Sequence, residues 1–157
     1  MPTTTITSGT TVVSTTLPVS SGFIVKGSGT LDIVNGGTVS GLISVKSGGE
    51  VVVSSGGTEL KTIIGSGGTV NLLSGGSFSF AGVESGGKLN VAGTVTSDVT
   101  VFAGGVETVS SGGVVSGQPG SGTLISGTVN VLSGGTFTFG LLSNGGKLNV
   151  LPPQRFI

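Results

Sequence analysis

Six acidic side chains, Asp32, Glu50, Glu59, Glu84, Asp98 and Glu107, are the groups from which this 157-residue chain could build a hydrolytic or lyase site. Such chemistry needs two carboxylates at a set separation, or a carboxylate cluster with a basic partner. The sequence contains no His and no Cys. The commonest general base and the thiol nucleophile are therefore absent, and so are thiolate metal sites and disulfides. Asp-containing glycine repeats of the calcium-binding kind are missing, and no metal or cofactor is expected. Lys88 follows a Gly-Gly pair, but no helix follows it, so the segment is not a phosphate loop. Ser and Thr are abundant, and their hydroxyls are the remaining reactive groups.

The net charge is zero, with charged residues only 8% of the chain, which leaves no electrostatic footprint for nucleic acid. No apolar run is long enough for a membrane-spanning helix. Residues 1–25 lack the basic start and apolar core of a signal peptide. Glycine supplies 33 residues, a composition common in flexible linkers. Mean hydropathy is nevertheless +0.52, and Val, Ile, Leu and Phe recur at regular spacing. The length fits one domain.

What positions these groups is a repeat. "TVNLLSGGSFSFAGVESGGKLNV" at 69–91 returns as "TVNVLSGGTFTFGLLSNGGKLNV" at 128–150. The glycine before each short apolar strand falls at Gly9, Gly29, Gly49, Gly68, Gly87, Gly105, Gly127 and Gly146, in steps of 20, 20, 19, 19, 18, 22 and 19. After each glycine the second and fourth residues are mostly apolar, as in Leu31/Ile33, Val51/Val53, Val70/Leu72, Leu89/Val91, Val129/Val131 and Leu148/Val150. Alternation of period two marks a strand buried on one face. A longer arm of about 11 residues returns to the next glycine, with Phe78/Phe80 and Phe137/Phe139 expected inward by the same alternation. Gly-Gly at each corner turns the chain without a Cβ clash. The pattern predicts an all-β, single-stranded β-solenoid (β-helix) of about eight coils of ~19 residues, with equivalent positions stacked about 4.8 Å apart.

On that frame the acids disperse over different rungs and arms, as a solvated strand surface. Asp32 and Glu50 are about one rung apart, but at third and first positions. Glu50, Thr69 and Lys88 share the first outward position. Glu107 falls inward when counted from Gly105 and outward when counted from Gly104. The cost of an unpaired buried carboxylate and the 18-residue step favour a slip that turns it outward. Asn71–Asn90 and Asn130–Asn149 are expected to form hydrogen-bonded ladders. "SGQPGSG" (116–122) lengthens one arm, and Gln118 and Pro119 make it a candidate binding loop.

The motifs "VKSGGEVVVSSGGTE", "IGSGGTVNLLSGG", "VESGGKLNV" and "VETVSSGGVVSG" resemble the repeats of AIDA-type, self-associating autotransporter adhesins. The resemblance covers residues 28–150, leaving 1–27 as an N-terminal coil or cap and 151–157 as a tail or linker. It implies a β-solenoid passenger at the bacterial surface or outside the cell. It also implies side-by-side self-association through a polar face, and contact with host or cell-surface glycans. A protein O-heptosyltransferase is the implied modifying enzyme, with Ser47, Ser55, Ser66, Ser74, Ser85, Ser111 and Ser133 as matching acceptors. The sequence shows neither the signal peptide nor the translocator barrel of that family. The expected protein is a non-catalytic adhesin or surface scaffold. The alternatives are a carbohydrate-active β-helix enzyme domain, or a structural spacer beside another domain.

Overall fold

The computed structural model describes residues 3–18, 21–117, 122–143 and 145–152. Its eighteen strands join in one continuous sheet. Each strand pairs in parallel with the one a turn later, commonly 19 residues on, as Glu50 with Thr69 and Thr69 with Lys88. The predicted solenoid is the fold observed.

Each turn has three sides. Face A is the short arm: residues 10–13 and 30–33, then Glu50–Val53, Thr69–Leu72, Lys88–Val91, Val106–Val109, Thr128–Val131 and Lys147–Val150. Those eight rungs bound about seven full turns. The longer arm bends into two further sides. Face B holds Thr38–Val39, 58–59, 77–78, Thr94–Val95, Val114–Ser116 and Thr136–Thr138. Face C holds 22–25, Ile43–Val45, 62–64, 81–83, Val99–Val101, Thr123–Ile125 and Gly140–Leu142.

The interior is a set of columns. Face A contributes Leu31, Val51, Val70 and Leu89 in one column and Ile33, Val53, Leu72 and Val91 in another, all buried. Face C contributes Val25, Val45, Ile64, Val83, Val101 and Ile125. Stacking like on like keeps each column continuous, so apolar area leaves water along the whole axis.

Two expectations are corrected. Phe78 is fully buried, but Phe80 is 49% exposed and Phe139 54% exposed. Strict alternation would place all of them inward. At the corner between faces B and C two consecutive residues point outward, as the burial pattern of Ser77–Val83 records. The phase slips there, and Ala81 replaces Phe80 as the inward residue.

Glu107 is not turned outward. It pairs with Leu89 and Val129 in a face A column and is 0% exposed. The preceding corner is a full four-residue turn, with Gly105 N–H donating to Phe102 O at 2.8 Å. The shortening lies elsewhere, at the corner 92–93, where Ala92 and Gly93 N–H both donate to Leu72 O. No slip enters face A, so its register holds Glu107 inside.

Candidate functional site

Among the described residues, ten corners are four-residue turns with glycine at the third and fourth places, closed by a hydrogen bond from the last N–H to the first carbonyl, such as Gly57 to Ser54 at 2.9 Å and Gly68 to Gly65 at 3.0 Å. The third residue is a glycine with positive φ, for example Gly75 at 79°. That pattern is a type II turn, which strongly favours glycine at that place. The fourth residue is glycine for a different reason. A Cβ on Gly76 would lie 2.6 Å from Val53 O of the turn below.

All seven predicted acceptor serines occupy the second residue of such turns. The structure gathers them on two straight edges flanking face A. Ser47, Ser66 and Ser85 lie on the edge between faces C and A, in three successive turns. Ser55, Ser74, Ser111 and Ser133 lie on the edge between A and B. That edge is interrupted between Ser74 and Ser111 by the short corner 92–93. Within an edge, neighbours in successive turns stand about 4.8 Å apart. The first six are exposed and Ser133 is half-buried. On the first edge the next turn has Ala103 at the equivalent place, so the hydroxyl series stops there.

Five of the seven hydroxyls, those of Ser47, Ser55, Ser66, Ser85 and Ser111, lie against the corner glycine of the following turn. A Cβ at Gly67 would be 3.0 Å from Ser47 Oγ, at Gly86 2.8 Å from Ser66 Oγ, and at Gly134 2.7 Å from Ser111 Oγ. The bare glycine thus leaves open the space that a group attached to the serine needs.

Face A between the edges is polar. Asn71 Nδ2 donates to Glu50 Oε1 at 2.7 Å, and Asn90 Nδ2 donates to Asn71 Oδ1 at 2.8 Å. Asn149 Nδ2 donates to Asn130 Oδ1 at 2.8 Å. The expected ladders are formed, and Glu50 extends the first of them.

The remaining acids divide unexpectedly. Glu59 and Glu107 are sealed in the core, where no substrate reaches them. Both carboxyl oxygens of Glu107, Glu59 Oε2 and Thr62 Oγ1 lack hydrogen-bond partners. Lys61 N–H donates to Glu59 Oε1 at 2.7 Å. Burial pushes the Glu107 carboxyl up to about 8. Burial does the same to Glu59, also to about 8, against the opposing pull of the Lys61 N–H. Glu59 was expected on a solvated surface. Its placement was visible in the alignment, because it takes the position of Val39 and Phe78 in neighbouring turns. Glu84 and Asp98 both line an open groove of about 350 Å³ on face C, which Ile63, Phe80 and Phe102 also line. Alternation missed this groove because it had assigned Phe80 to the core. Gln118 and Pro119 lie outside the described residues. Among the described residues no cluster of acids could hold a metal ion.

Fold and edges together define a three-sided parallel β-solenoid with serine-lined corners flanking one polar face. No protein-family model matches the chain, and no curated protein resembles it significantly. Among solved structures it is similar to a hyper-glycosylated fragment of TibA, whose glycosylation is catalysed by TibC. The likeness has a TM-score of 0.63 at 22% identity over 96% of this chain, which spans 64% of that fragment. It establishes the fold, the same solenoid that the SGG repeats imply by resemblance.

Proposed function

We propose that this chain is a non-catalytic, adhesin-type passenger module at the bacterial surface or outside the cell, whose serine edges accept O-linked heptose. The observation that carries the reading is the pair of edges. Serines spaced irregularly in sequence become two straight rows, with glycine clearing the space beside each of five hydroxyls, those of Ser47, Ser55, Ser66, Ser85 and Ser111. A transferase that recognises one corner meets the same backbone shape at the next. The likeness to a glycosylated TibA fragment supports the same reading. Function then comes from a long repetitive surface on which weak contacts, to glycans or to further copies of the chain, add through multivalency.

Coexpression with a protein O-heptosyltransferase tests this directly. Intact mass is expected to rise in whole heptose increments, mapped to the corner peptides. Ser47→Ala/Ser66→Ala/Ser85→Ala is expected to remove the adducts of one edge and keep those of the other. An unchanged mass overturns the acceptor role.

One observation favours a second reading. Glu84 and Asp98 line the same groove, and two carboxylates are what a sugar-cleaving site requires. Glu84 is exposed, however, and the groove is open, so it does not enclose a sugar ring. Release of reducing ends from a polysaccharide panel, lost in Glu84→Gln, would establish this reading over the first.

A further inference from the structure

Face B differs from its two neighbours in what it shows to solvent. Each of its strands has two outward positions, one on either side of the inward column of Val39, Glu59, Phe78, Val95, Val115 and Phe137. The outward column before it runs Thr38, Thr58, Ser77, Thr94, Val114 and Thr136, and Thr16 bridges to Thr38 at its N-terminal end. The outward column after it runs Ser40, Leu60, Ser79, Thr96, Ser116 and Thr138. None of these side chains is buried, and ten of the twelve positions in the six paired ranks carry a hydroxyl. They are unevenly spaced in sequence, so the rows emerge only from the ladder register. None of the twelve is charged, whereas face A shows Asp32, Glu50, Lys88 and Lys147 at its outward positions.

A Ser or Thr hydroxyl gives one hydrogen bond and accepts two, which is close to what water itself does. Set on a sheet, the hydroxyls form a grid, about 4.8 Å from turn to turn and about 6.7 Å across the face. Six ranks make it about 24 Å long. Oxygen rows on the prism planes of ice repeat at similar distances in two perpendicular directions. Part of the grid is held from below. Thr96 Oγ1 donates to Phe78 O at 3.3 Å and Thr138 Oγ1 donates to Val115 O at 3.4 Å, which fixes each rotamer against the preceding turn. Ser79 and Thr96 lean together, with their oxygens 3.4 Å apart, and the row spacing closes up at that place. Bridging water on polar groups that are already in position is ordered at low entropy cost. A charged side chain would instead hold a strong hydration shell of its own, out of step with the grid.

We propose that face B binds the surface of ice, its hydroxyl grid standing in for a layer of lattice water. Charge complementarity selects this occupant, because an ice surface is neutral and so are all twelve positions of the face. Each hydroxyl contributes weakly, and the array adds the contributions. The best-ordered part is the C-terminal half, with Thr94/Thr96, Val114/Ser116 and Thr136/Thr138 in three successive ranks. All four of those threonines are exposed. Val114 keeps the shape of threonine without its hydroxyl, whereas Leu60 is the one bulky side chain on the grid and interrupts the second row. The surface is separate from the asparagine ladders of face A and from the groove of face C. It goes beyond the adhesin reading and does not depend on sugar at the serine edges.

Partition of the full, unglycosylated chain into a slowly growing ice hemisphere tests it, read as protein in the ice against protein in the remaining liquid. Serum albumin sets the level of a protein that ice excludes. The wild type is expected to enter the ice and to inhibit recrystallisation. Thr94→Lys/Thr136→Lys is expected to lower uptake at least about fivefold, because two hydrogen-bonding positions are lost and two hydration shells are added. Thr58→Lys replaces it if circular dichroism shows that it has not folded. Leu60→Thr/Val114→Thr completes both rows and is expected to raise uptake. Thr30→Lys, on face A, is expected to match the wild type. A wild type excluded as albumin is overturns the proposal. Equal losses in Thr30→Lys and Thr94→Lys/Thr136→Lys overturn the assignment to face B. Exclusion from ice together with sedimentation on microcrystalline cellulose or chitin overturns ice as the occupant and gives the grid to an extended polysaccharide. A chain that gains heptose in the mass measurement yet stays out of ice loses this proposal alone, and one that enters ice without gaining heptose keeps it and loses the acceptor role.

Discussion

Replacing Glu107 by leucine is expected to stabilise this protein and to flatten its response to pH. The carboxyl sits in a face A column between Leu89 and Val129, fully buried, with neither oxygen partnered. Burial raises its pKa from 4.5 to about 8. The folded state therefore binds a proton more tightly than the unfolded chain. Its contribution is most favourable below about pH 4.5 and is lost as pH rises toward 8, with little further change above that. Between these limits the slope is about 1.4 kcal/mol per pH unit, approaching about 5 kcal/mol in all. Glu59 has the same direction and range, so the two together rival the whole stability of an ordinary domain, about 5–15 kcal/mol. Even protonated, an unpartnered buried carboxyl costs about 1–3 kcal/mol. Glu107→Leu removes both penalties and restores the column pattern. Denaturant midpoints at pH 5, 6, 7 and 8, followed by circular dichroism, read the effect. Midpoints are the better measure because stacked turns need not unfold in two states. The wild type is expected to be most stable at pH 5. The variant should gain most at pH 8, and Glu59→Leu/Glu107→Leu should be nearly flat. Parallel curves for wild type and Glu107→Leu would refute the burial of this carboxyl.

Two further predictions concern the frame. Phe78→Ala is expected to cost about 3–5 kcal/mol, whereas Phe80→Ala, with its ring half in solvent, should cost under about 1 kcal/mol; equal losses in thermal or denaturant unfolding would contradict the phase slip between faces B and C. Gly76→Ala, whose Cβ would lie 2.6 Å from Val53 O, is expected to lose about 2–3 kcal/mol. Gly112→Ala meets no atom within 4 Å but sits at a φ of 81°, and should lose only about 1–2 kcal/mol; the reverse order would refute the distinction between the third and fourth glycines of the corner.

Much of the fold was legible because a solenoid makes sequence neighbours at a 19-residue interval into spatial neighbours. Leu31, Val51, Val70 and Leu89 stand at one place in the repeat and in one column of the core. The asparagine ladders followed from the same rule. The corner serines were identifiable one by one from the SGG motif. That they make two edges flanking a single face required the triangular section, which the count of arms did not reveal. Phe80 and Glu107 were misplaced for opposite reasons. Alternation was extended through a corner that breaks it in one case, and a slip was introduced where hydrogen-bonded register forbids it in the other.

The sequence by itself determined the repeat length, the inward positions of the short arm, and the glycines that turn each corner. Each depends on a local requirement of the backbone or on identity between successive turns. Tertiary structure alone decided how the longer arm bends, because that bend is set by closure of the prism and not by a residue type at the corner. The bend puts Phe80 outside, in the wall of a groove that Phe102, Glu84 and Asp98 also line, and gives the chain a third face. Tertiary structure also decided that Glu59 and Glu107 stay inside. There the hydrogen bonds of the neighbouring turns fix the register, and the burial of two carboxyls is the cost of keeping it.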